Sequence, residues 1–455
     1  MRKKLLSLAT LACIGCSVCW ADGATGGASS AATSPSTRSL KQLYIPNDLK
    51  QMDLLNDTSK WCYSRMHCTD NLAIMWERGF GMDLSNPPAL EGKPMKVDLK
   101  NLADRLESFY AFFRDTLQFV KPGSNSEKYR MMVMLNYSLE GTAYGGDYDG
   151  VIGGLWVAPN RIQDRKLNCM AHELGHSFQS QISCDKQGEA WGGSGFFEMT
   201  SQWMLWQVNP DWVKDEQYHF DAFSHLTHKA FLHMENIYHS PYIIEYWGMK
   251  HGKPFIADLF RNGKRGEDPA MTYKRLNQLS QEQFCDEMFD ASRHIVNMDY
   301  PRAWKETRPY ACTIKNTLEE TADGWKRIPY GQCVENYGFN VIPVEVPAAG
   351  KKASVQIRGI VGTDGYVTKN AAKAGWRYGF VAIDGQGKSI YGTTYRLHGP
   401  KAKGKAEFKV PKGSDIQKLY LVVMGAPTDH WMNTGGWGAD AKKNDDAQWP
   451  YEVKF

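Results

Sequence analysis

Beyond its first 21 residues, this 455-residue chain has no stretch long and apolar enough to cross a bilayer, which takes about 20 residues. A protein held in the membrane by a bundle of helices is thereby excluded. No Lys/Arg block stands out, since 54 basic residues face 50 acidic ones and leave a net charge of +4. So mild an excess, spread along the chain, offers nucleic acid no basic stripe. No internal repeat is visible, which excludes a stacked-repeat architecture. What is present suits a globular protein of two to three domains: 42% hydrophobic and 23% charged residues support a sizeable core. Aromatics reach 12%, with fifteen Trp. That richness serves a large core and equally serves glycan- or peptide-binding surfaces.

The N-terminus reads as a secretory signal peptide over residues 1–21. Arg2, Lys3 and Lys4 precede an apolar run from Leu5 to Cys19, and Ala21 offers a cleavage site before Asp22. The run is too short for a membrane anchor. A lipoprotein is the alternative, because Cys13, Cys16 and Cys19 lie in the run, although none follows a good Leu-x-Ala/Gly lead. The chain is expected to be secreted, periplasmic or at the cell surface. Residues 22–42, rich in Gly, Ala, Ser and Thr, read as a flexible linker.

Ten cysteines are present, seven of them beyond the signal. In an exported protein these suggest pairs, locally Cys62 with Cys68 and Cys312 with Cys333. Cys169 and Cys184 cannot pair if one helix carries both. Fifteen residues at about 1.5 Å each hold them roughly 22 Å apart.

From residue 43 to 334 the pattern alternates strands and helices. "NLAIMWERGFG" (71–81) reads as a strand ending in a turn, and "YRMMVMLN" (129–136) as a buried strand. Between them, 97–120 is a helix with Asp98 as cap and Leu99, Leu102, Leu106, Phe109, Phe113 and Leu117 on one stripe. "GTAYGGDYDGVIGGLWVAP" (141–159) is Gly-rich, then strand-like, and a helix follows from about 164 to 183. Residues 196 to about 300 read as mostly helical. From 335 to 455, short β-rich runs split by Gly, Pro and Lys predict a β-sandwich. The fold class is therefore α+β, with a β-sandwich domain at the C-terminus.

The chemistry concentrates in "NCMAHELGHSFQSQ" (168–181). On a helix, positions four apart share a face at about 6 Å. His172 and His176 can thus aim two imidazoles at one Zn2+ ion. Glu173, on the edge of that face, can take a proton from a water there. A catalytic zinc needs a third protein ligand. A histidine six residues after the second His is excluded, because Gln179 and Ile182 occupy the relevant positions. Two carboxylates remain, Glu189 in a loop and Glu198 opening the next helix. Glu198 is preferred, because a helix holds a ligand more rigidly than a loop. Ser201 and Gln202 lie one turn on and could support the ligands. An oxyanion donor is expected from the segment holding His219, His225, His228, His233 and His239, with Tyr218 and Tyr238 among them. His239, His228 and Tyr238 are foremost, His239 being taken as the catalytic candidate, and none is expected to bind metal.

"AHELGHSFQ" followed by "GFFEMTSQWM", with "LAIMWERGFG" before them, resembles the gluzincin metallopeptidases. With "YGFNVIPVEVP", the "GAP" at 425–427 and the closing "WPYEVKF", the chain more closely resembles an uncharacterised family of secreted bacterial zincin-like proteins carrying a domain-of-unknown-function label. The resemblance spans residues 60 to 455. It implies a zincin-like catalytic domain, with a mixed sheet, the His-Glu-x-x-His helix and a helical subdomain. It also implies His172, His176 and Glu198 as ligands and Glu173 as base. Familiar gluzincins carry an Asp four residues past the ligand Glu, where this chain has Gln202, whose amide can still hold a ligand histidine. The expected function is a secreted zinc metallopeptidase acting on protein or glycoprotein substrates. The alternative is a cell-surface glycan- or protein-binding module with a structural or silent zinc site, glycan contact falling to the C-terminal domain.

Overall fold

A computed structural model describes residues 40–189, 191, 195–432 and 446–455. The expected signal peptide and nearly all of the linker lie outside the described residues. These residues form a mixed α and β structure with three sheets among them. Among the described residues, no helix is long and apolar enough to cross a membrane.

The first sheet contains β1 (Met66–Cys68), β2 (Leu72–Trp76), β3 (Met131–Leu135), β4 (Ala143–Tyr148) and β5 (Ile152–Val157). Its order is β1-β2-β3-β5-β4. The central strands β2, β3 and β5 are parallel, and the edge strands β1 and β4 run antiparallel to their neighbours. "LAIMW" and "MMVML" are buried at every position, which is why both are unbroken apolar runs. The single strand expected at 141–159 is a hairpin. Asp149 and Gly150 both take positive φ, and the Val151 N–H donates to the Tyr148 carbonyl at 2.9 Å. That is the tight Asp-Gly turn that suits twisted antiparallel strands.

Helix α1 (Leu99–Asp115) begins where expected, its cap Asp98 accepting from the Asn101 N–H. It buries Leu102, Leu106, Phe109 and Phe113. A short α2 (Asn125–Lys128) precedes β3, and α3 (Asn168–Cys184) follows the hairpin. Tyr110 and Phe113 pack edge-on to Phe178, which seats α3 beside α1. Next comes α4 (Gly195–Val208), with Trp203 and Trp206 fully buried. The helical region continues through α5 (Trp212–Asp215), α6 (Gln217–Leu226), α7 (Tyr242–His251), α8 (Pro254–Asn262), α9 (Pro269–Leu276), α10 (Gln281–Val296) and α11 (Trp304–Thr307).

The remaining strands form two antiparallel sheets. They are β6 (Glu319–Glu320), β7 (Lys326–Arg327), β8 (Phe339–Val344), β9 (Lys352–Gly359), β10 (Gly375–Asp384), β11 (Ser389–Tyr391), β12 (Tyr395–His398), β13 (Lys403–Lys409), β14 (Ile416–Gly425) and β15 (Tyr451–Lys454). One sheet has the order β11-β10-β14-β8 with β12 also on β10, and the other β13-β9-β15-β7-β6. Along β14, Leu419, Leu421 and Val423 face the second sheet, while Tyr420, Val422 and Met424 join the core of the helical region. This period of two explains the apolar run "LYLVVM", which is covered on both faces. The β layer is thus fused to the helices. The expected boundary at 334/335 falls inside it, because β6 and β7 precede that point and pair into its sheet.

The expected disulfides do not form. Cys62 lies with its Sγ 2.9 Å from the Ser64 hydroxyl, and the Cys62–Cys68 bridge is absent. Cys312 belongs to the helical core and Cys333 to the β core, so that pair is divided between two cores.

Glu335 stands at the junction of the two regions and is 4% exposed. Burial pushes its carboxyl up to about 7, with Lys229 pulling the other way. A folded pKa above the ordinary value gives stability that is complete below about pH 4.5 and is lost as pH rises through 7. Urea unfolding of the protein should therefore show a free energy that falls between pH 5 and 8, by up to about 3 kcal/mol. In Glu335→Gln that slope should flatten.

Candidate metal centre

Helix α3 runs across β4 and β5 at unusually short range. A Cβ on Gly145 would lie 1.9 Å from the Glu173 carbonyl oxygen and 2.8 Å from the His176 Cβ. Only glycine lets the edge strand pass this close to the helix. Helix α4 crosses α3 at a second glycine, since a Cβ on Gly175 would lie 2.8 Å from the Ser201 hydroxyl. That crossing brings the first turn of α4, with Glu198, over the side of α3 that carries His172 and His176.

Three donor atoms converge there. His172 Nε2 and His176 Nε2 are 3.1 Å apart, and Glu198 Oε2 lies 3.0 Å from the first and 3.1 Å from the second. Donors bound tetrahedrally to zinc at 2.0–2.1 Å sit about 3.3 Å from one another. The residues present therefore fit the ion with almost no rearrangement. Their side chains are 11%, 15% and 12% exposed, so the site is largely enclosed.

The outer partners fix which nitrogen is free. His176 Nδ1 faces Gln179 Oε1 at 3.0 Å, and that amide is oriented by its own Nε2, which donates to the Phe197 carbonyl at 2.9 Å. His172 Nδ1 faces Gln202 Oε1 at 2.9 Å, and Gln202 Nε2 donates to the Tyr238 carbonyl at 2.8 Å. An amide oxygen only accepts, so each Nδ1 carries the proton and each Nε2 presents its lone pair to the centre. Three acceptors aimed at one point require a cation or a shared proton between them. Consistently, His172 has a raised pKa. Burial opposes its charge, but the Glu198 hydrogen bond and the Glu173 charge outweigh burial. Burial likewise opposes the charge on Glu198, and the two histidines facing it hold its carboxyl well below the usual range. Gln202→Leu should lower zinc affinity by about 10–100-fold, as losing such an outer partner does. Competition with a zinc chelator reads the change.

The structure brings Glu173 to the same point. It is 9% exposed, and a carboxylate oxygen lies within 4.8 Å of a ring nitrogen of His172 and of His176. Glu189, the weaker ligand candidate, is elsewhere and accepts from the Arg265 N–H at 2.9 Å. His239 is not at the centre. Its Nδ1 meets His219 Nδ1 at 2.7 Å, and His219 Nε2 meets Gln202 Nε2 at 3.2 Å, so it stands three links from His172. Burial, aided by the His219 charge, lowers the His239 pKa to about 4. His228 is also off the centre, its backbone carbonyl accepting from the Glu335 N–H at 2.9 Å.

The group that does reach the site from this segment is Tyr238. Its ring lies 6.1 Å from the His172 ring, and its backbone carbonyl accepts from the Gln202 amide at 2.8 Å. Burial, and then the Glu198 charge, raise its pKa. Sequence reasoning named Tyr238 behind His239. It missed Gln179 and Gly145 as parts of the site, although the paired glycines of "AYGGDY" (143–148), in the hairpin that precedes the motif helix, were a visible signal for close approach.

Residues 35–455 match a family described as "Family of unknown function (DUF6055)". The chain belongs to this family. No curated protein matches the sequence. Among solved structures, a functionally unknown conserved protein from Bacillus anthracis str. Ames is similar at 11% identity and a TM-score of 0.30, over 81% of this chain and 77% of that one. The C-terminal family 22 carbohydrate-binding module of Clostridium thermocellum Xyn10B is similar at 14% identity and a TM-score of 0.17, over 30% of this chain and 85% of that one. A xylan-binding domain from CBM 22 is similar at 12% identity and a TM-score of 0.17, over 30% of this chain and 86% of that one. Likenesses this distant carry no argument about fold or ligand.

Proposed function

We propose that this member of the family is an exported zinc-dependent peptidase of the gluzincin type, acting on protein or glycoprotein substrates. The observation that carries the reading is the triangle of His172 Nε2, His176 Nε2 and Glu198 Oε2, closed to 3.0–3.1 Å, with both imidazoles locked by glutamine amides. A bound zinc ion supplies Lewis acidity toward a carbonyl oxygen and toward an attacking water. Glu173 takes the proton from that water and passes it to the leaving amine. The Tyr238 hydroxyl donates to the oxygen on which negative charge develops. The outer edge of β4 pairs with no strand among the described residues, and Gly145 on that strand touches the metal helix. An extended peptide can add to that edge through main-chain hydrogen bonds. This feature favours a peptide over an ester or amide of cell-wall material.

Tyr238→Phe keeps the ring and removes the donor. It should lower kcat by about 100-fold or more and leave KM nearly unchanged, as loss of an oxyanion donor does. Steady-state kinetics on a cleaved peptide read the two separately.

A second reading keeps the fold and makes the chain a glycan- or protein-binding module at the cell surface, its metal site structural or silent. The two-sheet β layer and the 12% aromatic content motivate it. Against it stands Glu173, a buried carboxylate beside the ligands that a merely structural site does not need. One experiment separates the readings: zinc content and cleavage of casein and of a glycoprotein by the wild type and Glu173→Gln, alongside xylan and glycan binding by His172→Ala. Equal cleavage by the Glu173 variant would sink the peptidase reading. Tight glycan binding that survives His172→Ala, without cleavage by any form, would establish the second.

A further inference from the structure

The segment from Thr227 to Ser240, called the strap below, connects the β layer to the metal centre. Its first half is stitched to the chain entering β8. Phe339 N–H donates to the Thr227 carbonyl at 2.7 Å, Glu335 N–H to the His228 carbonyl at 2.9 Å, and Phe231 N–H to the Asn336 carbonyl at 3.0 Å. A Cβ on Gly338 would lie 2.1 Å from the His228 carbonyl oxygen, so the two backbones are in contact. The Glu335 carboxylate completes the attachment. It accepts from the Ala230 N–H at 2.8 Å, lies 3.5 Å from Lys229 Nζ, and clusters within 4.8 Å of His233 and Asp446. Glu335 thus holds the strap through the Ala230 hydrogen bond, with Lys229 beside it.

The second half of the strap ends at the site. The Tyr238 carbonyl accepts from the Gln202 amide at 2.8 Å, and the Tyr238 ring lies 6.1 Å from the ring of His172. Ile237 and Leu232 lie against Gly195 at the start of α4, the helix that presents Glu198. Only one short 3-10 turn, Met234–Asn236, gives the strap regular structure of its own. Its course is therefore set by tertiary contacts: the two attachments and the packing of Phe231 on Phe196 and Trp247 between them.

We propose that the β layer positions Tyr238 at the metal centre through the strap, and that Glu335 is the positioning residue that anchors it. This rests on the peptidase reading for its catalytic consequence and on geometry alone for the coupling. The C-terminal β layer is then a working part of the site rather than an appended module.

The test places 3-fluorotyrosine at position 238 of the full mature chain and records its fluorine resonance. Glu335→Ala should shift that resonance. Glu335→Gln, which keeps the shape and serves if the alanine variant does not fold, should shift it in the same direction. Lys352→Ala, at an exposed position of β9 in the same layer, should not. Kinetics run in parallel as a double-mutant cycle: Glu335→Ala should lower kcat more than 10-fold in the wild type and add little in a Tyr238→Phe background. An unmoved resonance in a folded Glu335 variant, or losses that multiply fully with Tyr238→Phe, would overturn the proposal. Absence of any cleavage by the wild type would instead overturn the peptidase reading and leave the resonance to decide the coupling.

Discussion

Glu173→Gln is expected to keep one equivalent of zinc per chain and to lose peptide hydrolysis by about 1000-fold or more. Glutamine matches glutamate in shape, so the buried place beside His172 and His176 stays filled. Only basicity is removed. Zinc retention follows because the three donors of the triangle are untouched, and so are Gln179 and Gln202 behind them. Metal analysis paired with a cleavage assay separates these two effects. A variant that cleaves as well as the wild type would remove Glu173 from the chemistry. A variant that loses zinc would instead make Glu173 part of the metal's support.

Glu198→Ala should have the opposite profile and lose the metal itself. It deletes one corner of the triangle and the only carboxylate among the three donors. The drop in affinity should exceed the 10–100-fold that an outer partner costs. It has a signature in stability too. A ligand at 1000 times its Kd stabilises the folded state by about 4 kcal/mol. Zinc should therefore raise the Tm of the wild type by several degrees, a chelator should reverse the rise, and Glu198→Ala should respond to neither. Glu189→Ala, whose side chain holds the Arg265 backbone instead, should respond as the wild type does. Equal responses in both variants would place the third ligand elsewhere.

Much of this was legible in the sequence because its causes are local. The stripe of α1, the doubly buried strands β2 and β3 and the period-two run of β14 follow from side-chain spacing. His172 and His176 share a face because one helical turn separates them. The preference for Glu198 over Glu189 followed from rigidity, and the structure places Glu198 at the centre. Gln202, one turn past Glu198, holds His172 through its amide oxygen. The rest depended on tertiary contact. Nothing local distinguishes Tyr238 from His239, since adjacent residues on an irregular strap point in directions set by what the strap touches. The Cys312–Cys333 pairing failed for the same kind of reason. Twenty-one residues of separation carry no record that the two thiols enter different cores. The domain boundary was drawn where strand-like runs begin, yet β6 and β7 are two residues each, too short to leave a periodic signal.

The central claim is that His172, His176 and Glu198 hold a zinc ion. Anomalous diffraction from a zinc-soaked crystal, recorded on both sides of the zinc absorption edge, tests it most directly. One peak bonded to His172 Nε2, His176 Nε2 and Glu198 Oε2, with no fourth protein ligand, is the predicted result. A crystal saturated with zinc and showing no peak between these three atoms would contradict it.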